Sequence, residues 1–96
     1  LLSPTLPRLP FAIGEIGPNV PAEEHFAKVM DYAALTPLMN VSGAASMSVP
    51  LAWSQCGLPI GMMFSGKRGD DGMLFELAYE LEAARPWAGK VPPVHA

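Results

Sequence analysis

The stretch from Asn40 to Gly66 constrains the fold most, because it contains two short apolar runs joined by a polar turn. Along both runs, apolar residues alternate with mainly small or polar ones, which is the period of two expected of a strand with one buried face. The residues predicted to face the core are Ala45, Met47, Val49 and Leu51 in the first run and Ile60, Met62 and Phe64 in the second. Because residues 54–57 form a turn between the runs, the pattern predicts an antiparallel hairpin.

A first helix is predicted before this hairpin. Asn19 offers a cap, and Pro21 suits a first helical turn. The apolar face of this helix consists of Phe26, Val29, Met30 and Ala33, spaced at i, i+3, i+4 and i+7. We expect the helix to stop before Thr36, because the residue that precedes a proline disfavours helical geometry.

A second helix is predicted from about Asp71 to Arg85, with Asp70 or Asp71 as its cap and Pro86 as its stop. Its apolar stripe consists of Met73, Leu74, Leu77, Ala78, Leu81 and Ala84, of which Leu74, Leu77 and Leu81 are expected to pack on the hairpin. A short strand at the start of the chain ends at its prolines. The predicted order is strand, helix, hairpin, helix, which makes the fold class α/β.

Composition indicates that the chain is part of something larger. Charged residues make up 16% of the chain, against roughly 25% in ordinary domains. A chain of 96 residues also buries only about 60 to 65% of its unfolded surface, which leaves an isolated core marginal. We therefore expect residues 1–96 to form one segment of a larger domain.

Charge and hydropathy exclude several functions. The net charge of −3 and the pI near 5.1 offer no basic surface for phosphates, so we expect no nucleic-acid partner. No apolar run reaches the length of about 18 residues that a membrane span needs, and no stretch resembles a signal peptide. Cys56 is the one cysteine. It fits a reducing compartment, and we expect the cytoplasm.

The chain offers no recognisable catalytic unit or metal site. Cys56 would need a base to act as a nucleophile, but His25 and His95 lie in a predicted helix and in the tail. The spacing of these three residues does not indicate a metal site either. Of the lysines that could act as bases for a serine, Lys67 and Lys90 are predicted to be solvated, and Lys28 lies on the second-best face of a short helix. We expect no catalytic residue, no metal and no cofactor in this chain.

Four sequence blocks, in this order, resemble the C-terminal part of the amidase signature hydrolases. They are Asn40-Val41-Ser42-Gly43, Met47-Ser48-Val49-Pro50-Leu51, Gly57-Leu58-Pro59-Ile60-Gly61, and Gly69-Asp70 followed by a helix that ends at Arg85-Pro86-Trp87. The stretch Leu2-Ser3-Pro4-Thr5 resembles the strand and turn that precede these blocks in the family. The resemblance covers nearly the whole chain and leans toward the bacterial branch that includes 6-aminohexanoate cyclic dimer hydrolase.

The resemblance implies a piece of an enzyme that hydrolyses carboxamides through an acyl-serine intermediate. Amidase signature enzymes use a serine nucleophile, a second serine joined by a cis peptide bond, and a lysine base. Those residues lie in a Gly/Ser-rich segment upstream of the matching part, and this chain does not contain it. We therefore expect a C-terminal segment, inactive alone, that supplies scaffold and pocket wall and associates with the rest of the enzyme or with itself.

Two interpretations of residues 40–43 stay open. Asn40 and Ser42 can both bond to nearby backbone, which makes a structural loop. The resemblance instead places this region near the acyl-binding pocket, and implies that Thr36, Met39 and Asn40 contact a small amide substrate. Two other functions also remain: a glutamyl-tRNA amidotransferase A-type subunit, and a non-catalytic interaction module on the amidase scaffold.

Overall fold

The computed structural model describes residues 1–94, which contain three strands and three helices. The strands are β1 (Leu2–Pro4), β2 (Ser46–Trp53) and β3 (Pro59–Ser65). The helices are α1 (Ala22–Tyr32), α2 (Pro37–Ser42) and α3 (Asp71–Ala84). The α/β class is confirmed, and the predicted order holds except that α2 is an additional helix before the hairpin.

The predicted hairpin is confirmed. Strands β2 and β3 pair antiparallel, with Val49 opposite Met62. At the turn, Gly57 adopts a φ of +81°, which a side chain would disfavour, and its N–H donates to the Ser54 carbonyl at 3.0 Å. The Ser54 hydroxyl also accepts from the N–H of Leu58 at 3.0 Å. The polar turn residues therefore close the hairpin with their own hydrogen bonds.

Strand β3 is the central strand, because β1 pairs antiparallel along its other side. The Thr5 N–H donates to the Gly61 carbonyl and the Ser65 N–H donates to the Leu1 carbonyl, both at 2.9 Å. In an antiparallel ladder, successive residues direct their backbone groups to opposite neighbours. Met62 and Phe64 therefore bond toward β2, while Gly61, Met63 and Ser65 bond toward β1.

The same alternation explains how β2 accommodates a proline. The Gly66 N–H donates to the Ala45 carbonyl at 3.0 Å, so Met47 and Val49 also direct their backbone groups toward β3. The backbone groups of Pro50 then point away from β3, toward the outer edge of the sheet. The N–H that proline lacks would have made no hydrogen bond to β3 there. A register shift between Pro50 and Ala52 follows immediately and interrupts the edge further.

Both faces of the sheet contribute to the core, which corrects the prediction of one buried face. Residues directly opposite each other share a face, so Val49 lies on the face of Met62, and Met63 lies on the other. Val49 is 7% exposed and Met63 is 5% exposed. The other predicted core residues of the hairpin are only half-buried: Ala45, Met47, Leu51, Ile60, Met62 and Phe64.

Helix α3 packs on β2 through Leu74, which is 5% exposed. Leu77 and Leu81 are half-buried. The predicted side of the helix therefore faces the sheet, but its most deeply buried residue is Leu74. Asp70 occupies the N-cap position, yet its carboxylate accepts from the N–H of Lys67 at 2.7 Å and makes no bond into the helix. The aspartate therefore fixes the preceding bend, and the predicted side-chain cap is wrong. The helix ends before Pro86, as predicted.

Helix α1 begins at Ala22 after Pro21, and Asn19 does not cap it. None of its residues is buried. Ion pairing of Arg8 with Asp31 attaches the helix to the preceding loop. The rings of Phe11 and Tyr32, with centroids 4.9 Å apart, make a second contact between the same two segments.

The chain exposes more surface than its mass predicts. Its accessible surface is 7114 Å². A monomeric globular protein of 10.2 kDa exposes about 5,300 Å², so the excess is about 1,800 Å². The expectation of a marginal, incompletely covered core agrees with this excess. No helix within residues 1–94 combines the length and the apolar character needed to cross a bilayer.

Two glycines give a matched stability test. A Cβ at Gly66 would lie 2.9 Å from Asp70 Cβ, whereas a Cβ at Gly72 would meet nothing within 4 Å. We expect Gly66→Ala to lower the free energy of unfolding by about 1 to 3 kcal/mol through overpacking. Gly72→Ala should raise it by about 0.5 to 1 kcal/mol through helix propensity. Urea denaturation measures both, and equal effects at the two positions would contradict this account.

Candidate functional site

The segment predicted as a loop before β2 is helical. Thr36 has φ −79° and ψ −30°, and α2 begins at Pro37. The prediction failed because a proline is well tolerated at the first helical position, where its N–H has no partner in any case. The change of direction comes later, at Gly43, whose φ of +68° ends the helix.

Helix α2 brings the three predicted substrate contacts together. The Thr36 carbonyl accepts from the N–H of Met39 at 3.1 Å and from that of Asn40 at 3.4 Å. Residues three and four positions apart are neighbours on a helix surface. Met39 is buried at 9% exposed, whereas Asn40 is exposed. The cluster therefore has an apolar side that faces the protein and an amide that faces outward.

Local hydrogen bonds give this segment a structural role as well. The Ser42 hydroxyl donates to the Met39 carbonyl at 3.2 Å and accepts from the Ala44 N–H at 3.4 Å. These bonds connect the end of α2 to the start of β2. The Asn40 side-chain amide, by contrast, has no hydrogen-bond partner within residues 1–94. Ser42 thus supports the structural interpretation, and Asn40 remains available to a ligand.

A second feature, which no sequence pattern predicted, is a cleft of about 420 Å³ beside the sheet. It lies between the Pro4–Pro10 segment and the adjoining residues of β2 and β3. Two hydroxyls meet at its base, Thr5 Oγ1 and Ser48 Oγ, 2.5 Å apart. A Cβ at Gly61 would lie 2.7 Å from Ser48 Oγ. A glycine inside a strand is the signal that such a close approach leaves in a sequence.

These hydroxyls are not activated for nucleophilic attack. A serine or threonine nucleophile needs a base within hydrogen-bond reach, and within residues 1–94 Thr5 and Ser48 bond only to each other through their side chains. Arg8 also lines the cleft, but its guanidinium pairs with Asp31. The cleft therefore has the form of a binding surface without catalytic groups.

Cys56 lies exposed in the hairpin turn, with its Sγ 3.0 Å from the Ser54 hydroxyl. A hydrogen bond from Ser54 stabilises the thiolate and lowers the pKa of the Cys56 thiol below its ordinary value. No histidine among residues 1–94 contacts this thiol: His25 lies on α1, and His95 lies outside the described residues. Cys56 thus has a perturbed pKa but no general base.

The lysines and acidic groups assemble no site either. Lys28 Nζ pairs with Glu24 at 2.9 Å, and Lys90 Nζ lies 5.4 Å from the centroid of the Trp53 ring. Lys67 is exposed in the bend before α3. In the part of the chain that the structure describes, no three His, Cys, Asp or Glu side chains group as metal ligands would.

Comparison with known proteins identifies the family. The Amidase family model matches residues 1–75. AmiC of Mycobacterium leprae (strain TN), named as a candidate amidase, is 44% identical over 88 residues, which are 92% of this chain and 19% of that protein. The A-type subunit of glutamyl-tRNA(Gln) amidotransferase from Thermodesulfovibrio yellowstonii is 31% identical over 87 residues, which are 91% of this chain and 17% of that protein.

The chain belongs to the amidase family. The resemblance seen in the sequence blocks is therefore confirmed at the level of the family. The leaning toward the 6-aminohexanoate cyclic dimer hydrolase branch stays a prediction. A third relative, AmiA2 of Mycobacterium bovis, is 46% identical over 55 residues, or 57% of this chain and 11% of that protein. The chain thus spans less than a fifth of the length of these relatives.

The lowered pKa of Cys56 predicts a pH-dependent reactivity. The rate of alkylation by iodoacetamide should reach half its maximum at a lower pH than for an ordinary cysteine, because the thiolate is the reacting form. Ser54→Ala should move this midpoint to higher pH, since the hydroxyl that stabilises the thiolate is gone. Gln55→Ala, in the same turn, serves as the control and should leave the midpoint in place. An unchanged midpoint in Ser54→Ala would contradict the assignment.

Proposed function

We propose that these 96 residues are the C-terminal segment of an amidase that hydrolyses carboxamide bonds through an acyl-serine intermediate. The observation that carries the proposal is the family match over residues 1–75, together with a relative of whose length the matched part is only 19%. The surface excess supports it, because a segment of a larger domain leaves its internal faces uncovered when it stands alone.

The catalytic unit of this enzyme lies outside the chain. Acyl transfer to a serine needs a hydroxyl, an adjacent base and donors for the oxyanion. Within residues 1–94 the hydroxyls of Thr5, Ser46 and Ser48 bond to other hydroxyls instead of to a base. The upstream serine pair and lysine implied by the family resemblance would supply the missing unit.

The chain would contribute the scaffold and one wall of the substrate pocket. In this proposal Thr36, Met39 and Asn40 contact the substrate, a small amide. Met39 is 9% exposed and would meet the substrate only through its accessible edge, while the rest of its side chain holds α2 on the protein. The free Asn40 amide can donate to or accept from the substrate's own amide group. This division of roles matches ligand pockets in general, which are mainly apolar with a few oriented polar groups.

The proposed setting is the cytoplasm. A single cysteine cannot form an internal disulfide and fits a reducing compartment. The proposed enzyme needs no metal or cofactor, since serine, lysine and backbone donors suffice for the reaction. Homo-oligomer formation and membership of the 6-aminohexanoate cyclic dimer hydrolase branch belong to the same proposal.

A second candidate function is that of a glutamyl-tRNA amidotransferase A-type subunit. The relative at 31% identity favours it, because that match covers 91% of the chain. The two functions share a fold and differ in their partner subunits. Glutamine hydrolysis that depends on added amidotransferase subunits would favour the second function. Turnover of simple amides without partners would favour the first.

The first prediction of the proposal concerns activity. The 96-residue chain alone should hydrolyse no amide, whereas the complete polypeptide that contains it should do so. Loss of a nucleophile and base that act as a unit removes about six orders of magnitude in turnover. Both samples are incubated with an amide substrate and with a serine-reactive phosphonate, and labelling is located by mass spectrometry. Specific labelling of a serine in residues 1–96, with turnover to match, would place the active site here and contradict the proposal.

The second prediction concerns the pocket wall. In the complete polypeptide, Asn40→Ala should raise KM for the amide by about 10-fold. The reason is that losing one hydrogen bond to the substrate costs about 1.4 kcal/mol, which is a factor of ten in binding. The unfolding midpoint should not change, because Asn40 is exposed. Gln55→Ala, at an exposed position in the hairpin turn, is the control. An unchanged KM would leave residues 40–43 with their structural role alone.

A further inference from the structure

Helix α1 carries an apolar face that the rest of residues 1–94 leaves largely exposed. Phe26 is 66% exposed, Met30 is 49% exposed and Val29 is 37% exposed. These three residues are spaced at i, i+3 and i+4, so they lie on one side of the helix. We call them the α1 apolar face. No residue of the helix is buried, so this face is open along its length.

The contacts that attach α1 are too weak to account for a stable helix. The exposed Arg8–Asp31 pair contributes about 0 to 1 kcal/mol, and the Phe11–Tyr32 ring contact adds about 0.5 to 1.5 kcal/mol beyond its buried area. Lys28 Nζ donates to the Glu15 carbonyl at a long 3.4 Å. An isolated helix shorter than about 12 to 15 residues is marginal in water, because helix stability in proteins comes mainly from packing an amphipathic face. Helix α1 has 11 residues. Its apolar face therefore requires a cover.

The amount and the distribution of exposed surface indicate what covers it. The excess of about 1,800 Å² is more than twice the roughly 800 Å² that one partner contributes to a standard interface. Large apolar side chains are also exposed on other elements, such as Val41 on α2 at 88% and Tyr79 on α3 at 72%. Because these side chains lie on three different helices, a second copy that contacts one face would leave part of this surface open. A longer chain folded around several elements would cover it.

We infer that the α1 apolar face packs inside the complete amidase, against a part of the same polypeptide that lies outside these 96 residues. This inference rests on the proposed function, and the length of the relatives leaves more than four fifths of such a polypeptide to supply the cover. The covering surface is apolar at its centre. A basic group at its border would complement Glu23, because Glu24 and Asp31 already pair with cations.

The test measures accessibility in the complete polypeptide. Cys56→Ser removes the thiol of residues 1–96, and Met30→Cys or Ala27→Cys then adds one thiol on or off the α1 apolar face, whose labelling is read at that residue by mass spectrometry. Ala27 is exposed and lies outside that face. In the native complete polypeptide, the Met30→Cys thiol should react with a maleimide at least 10-fold more slowly than the Ala27→Cys thiol. In the isolated 96-residue chain, both thiols should react at similar rates.

The outcomes separate this inference from the amidase proposal. Equal reactivity of the two thiols in the complete polypeptide would overturn the inference, whether or not the enzyme hydrolyses amides. Protection in the complete polypeptide that grows with protein concentration would overturn it in favour of a second copy. Protection in a complete polypeptide that hydrolyses nothing would overturn the amidase proposal and leave the packing of α1 in place.

A stability measurement checks the same point without a thiol. Phe26→Asp should lower the unfolding temperature of the complete polypeptide by at least about 4 °C or abolish its soluble expression, because it would bury an unpaired charge. Ala27→Asp should change this temperature by less than about 1 °C. Similar behaviour of the two variants would overturn the inference.

Discussion

Pairing of β3 with both of its neighbours is the interaction on which the other elements depend. The ladder to β1 connects residues near the start of the chain with Gly61 and Ser65, and the ladder to β2 closes the hairpin. Because α2 leads into β2 and α3 follows β3 after one bend, both helices are positioned by this sheet. Helix α1 is attached instead to the loop that precedes it, and none of its residues is buried.

The hairpin could be predicted from the sequence because a period of two and a polar turn are local signals. Burial within it could not. Met62 and Met63 are adjacent, equally apolar and on opposite faces, so alternation does not reveal which of them is more deeply buried. In the structure it is Met63, although Val49 is buried on the face of Met62. That choice depends on which other elements pack on each face, and no window of a few residues contains this information.

In the candidate site, too, local features could be predicted from the sequence and long-range contacts could not. The family resemblance selected Thr36, Met39 and Asn40, and α2 makes them neighbours, although a proline after Thr36 predicted the end of helical geometry. A proline's effect depends on whether it begins a helix or interrupts one, and this is decided by the chain that follows. The cleft at Thr5 and Ser48 depends on a contact between residues 43 positions apart. In the sequence, only Gly61, a glycine inside a strand, indicates this contact.

Pro50 also affects how separate copies of the protein meet. A sheet edge with unpaired N–H and C=O groups is a template on which another chain can add a strand, which is a route to domain swapping and fibrils. On the outer side of β2, Pro50 has no N–H to offer, and the register shift after it twists the edge away from a flat partner. Strand addition would therefore stop after Ser48. Pro50 therefore makes this edge a poorer template for a strand of another molecule whenever β2 lies at the edge of an uncovered sheet.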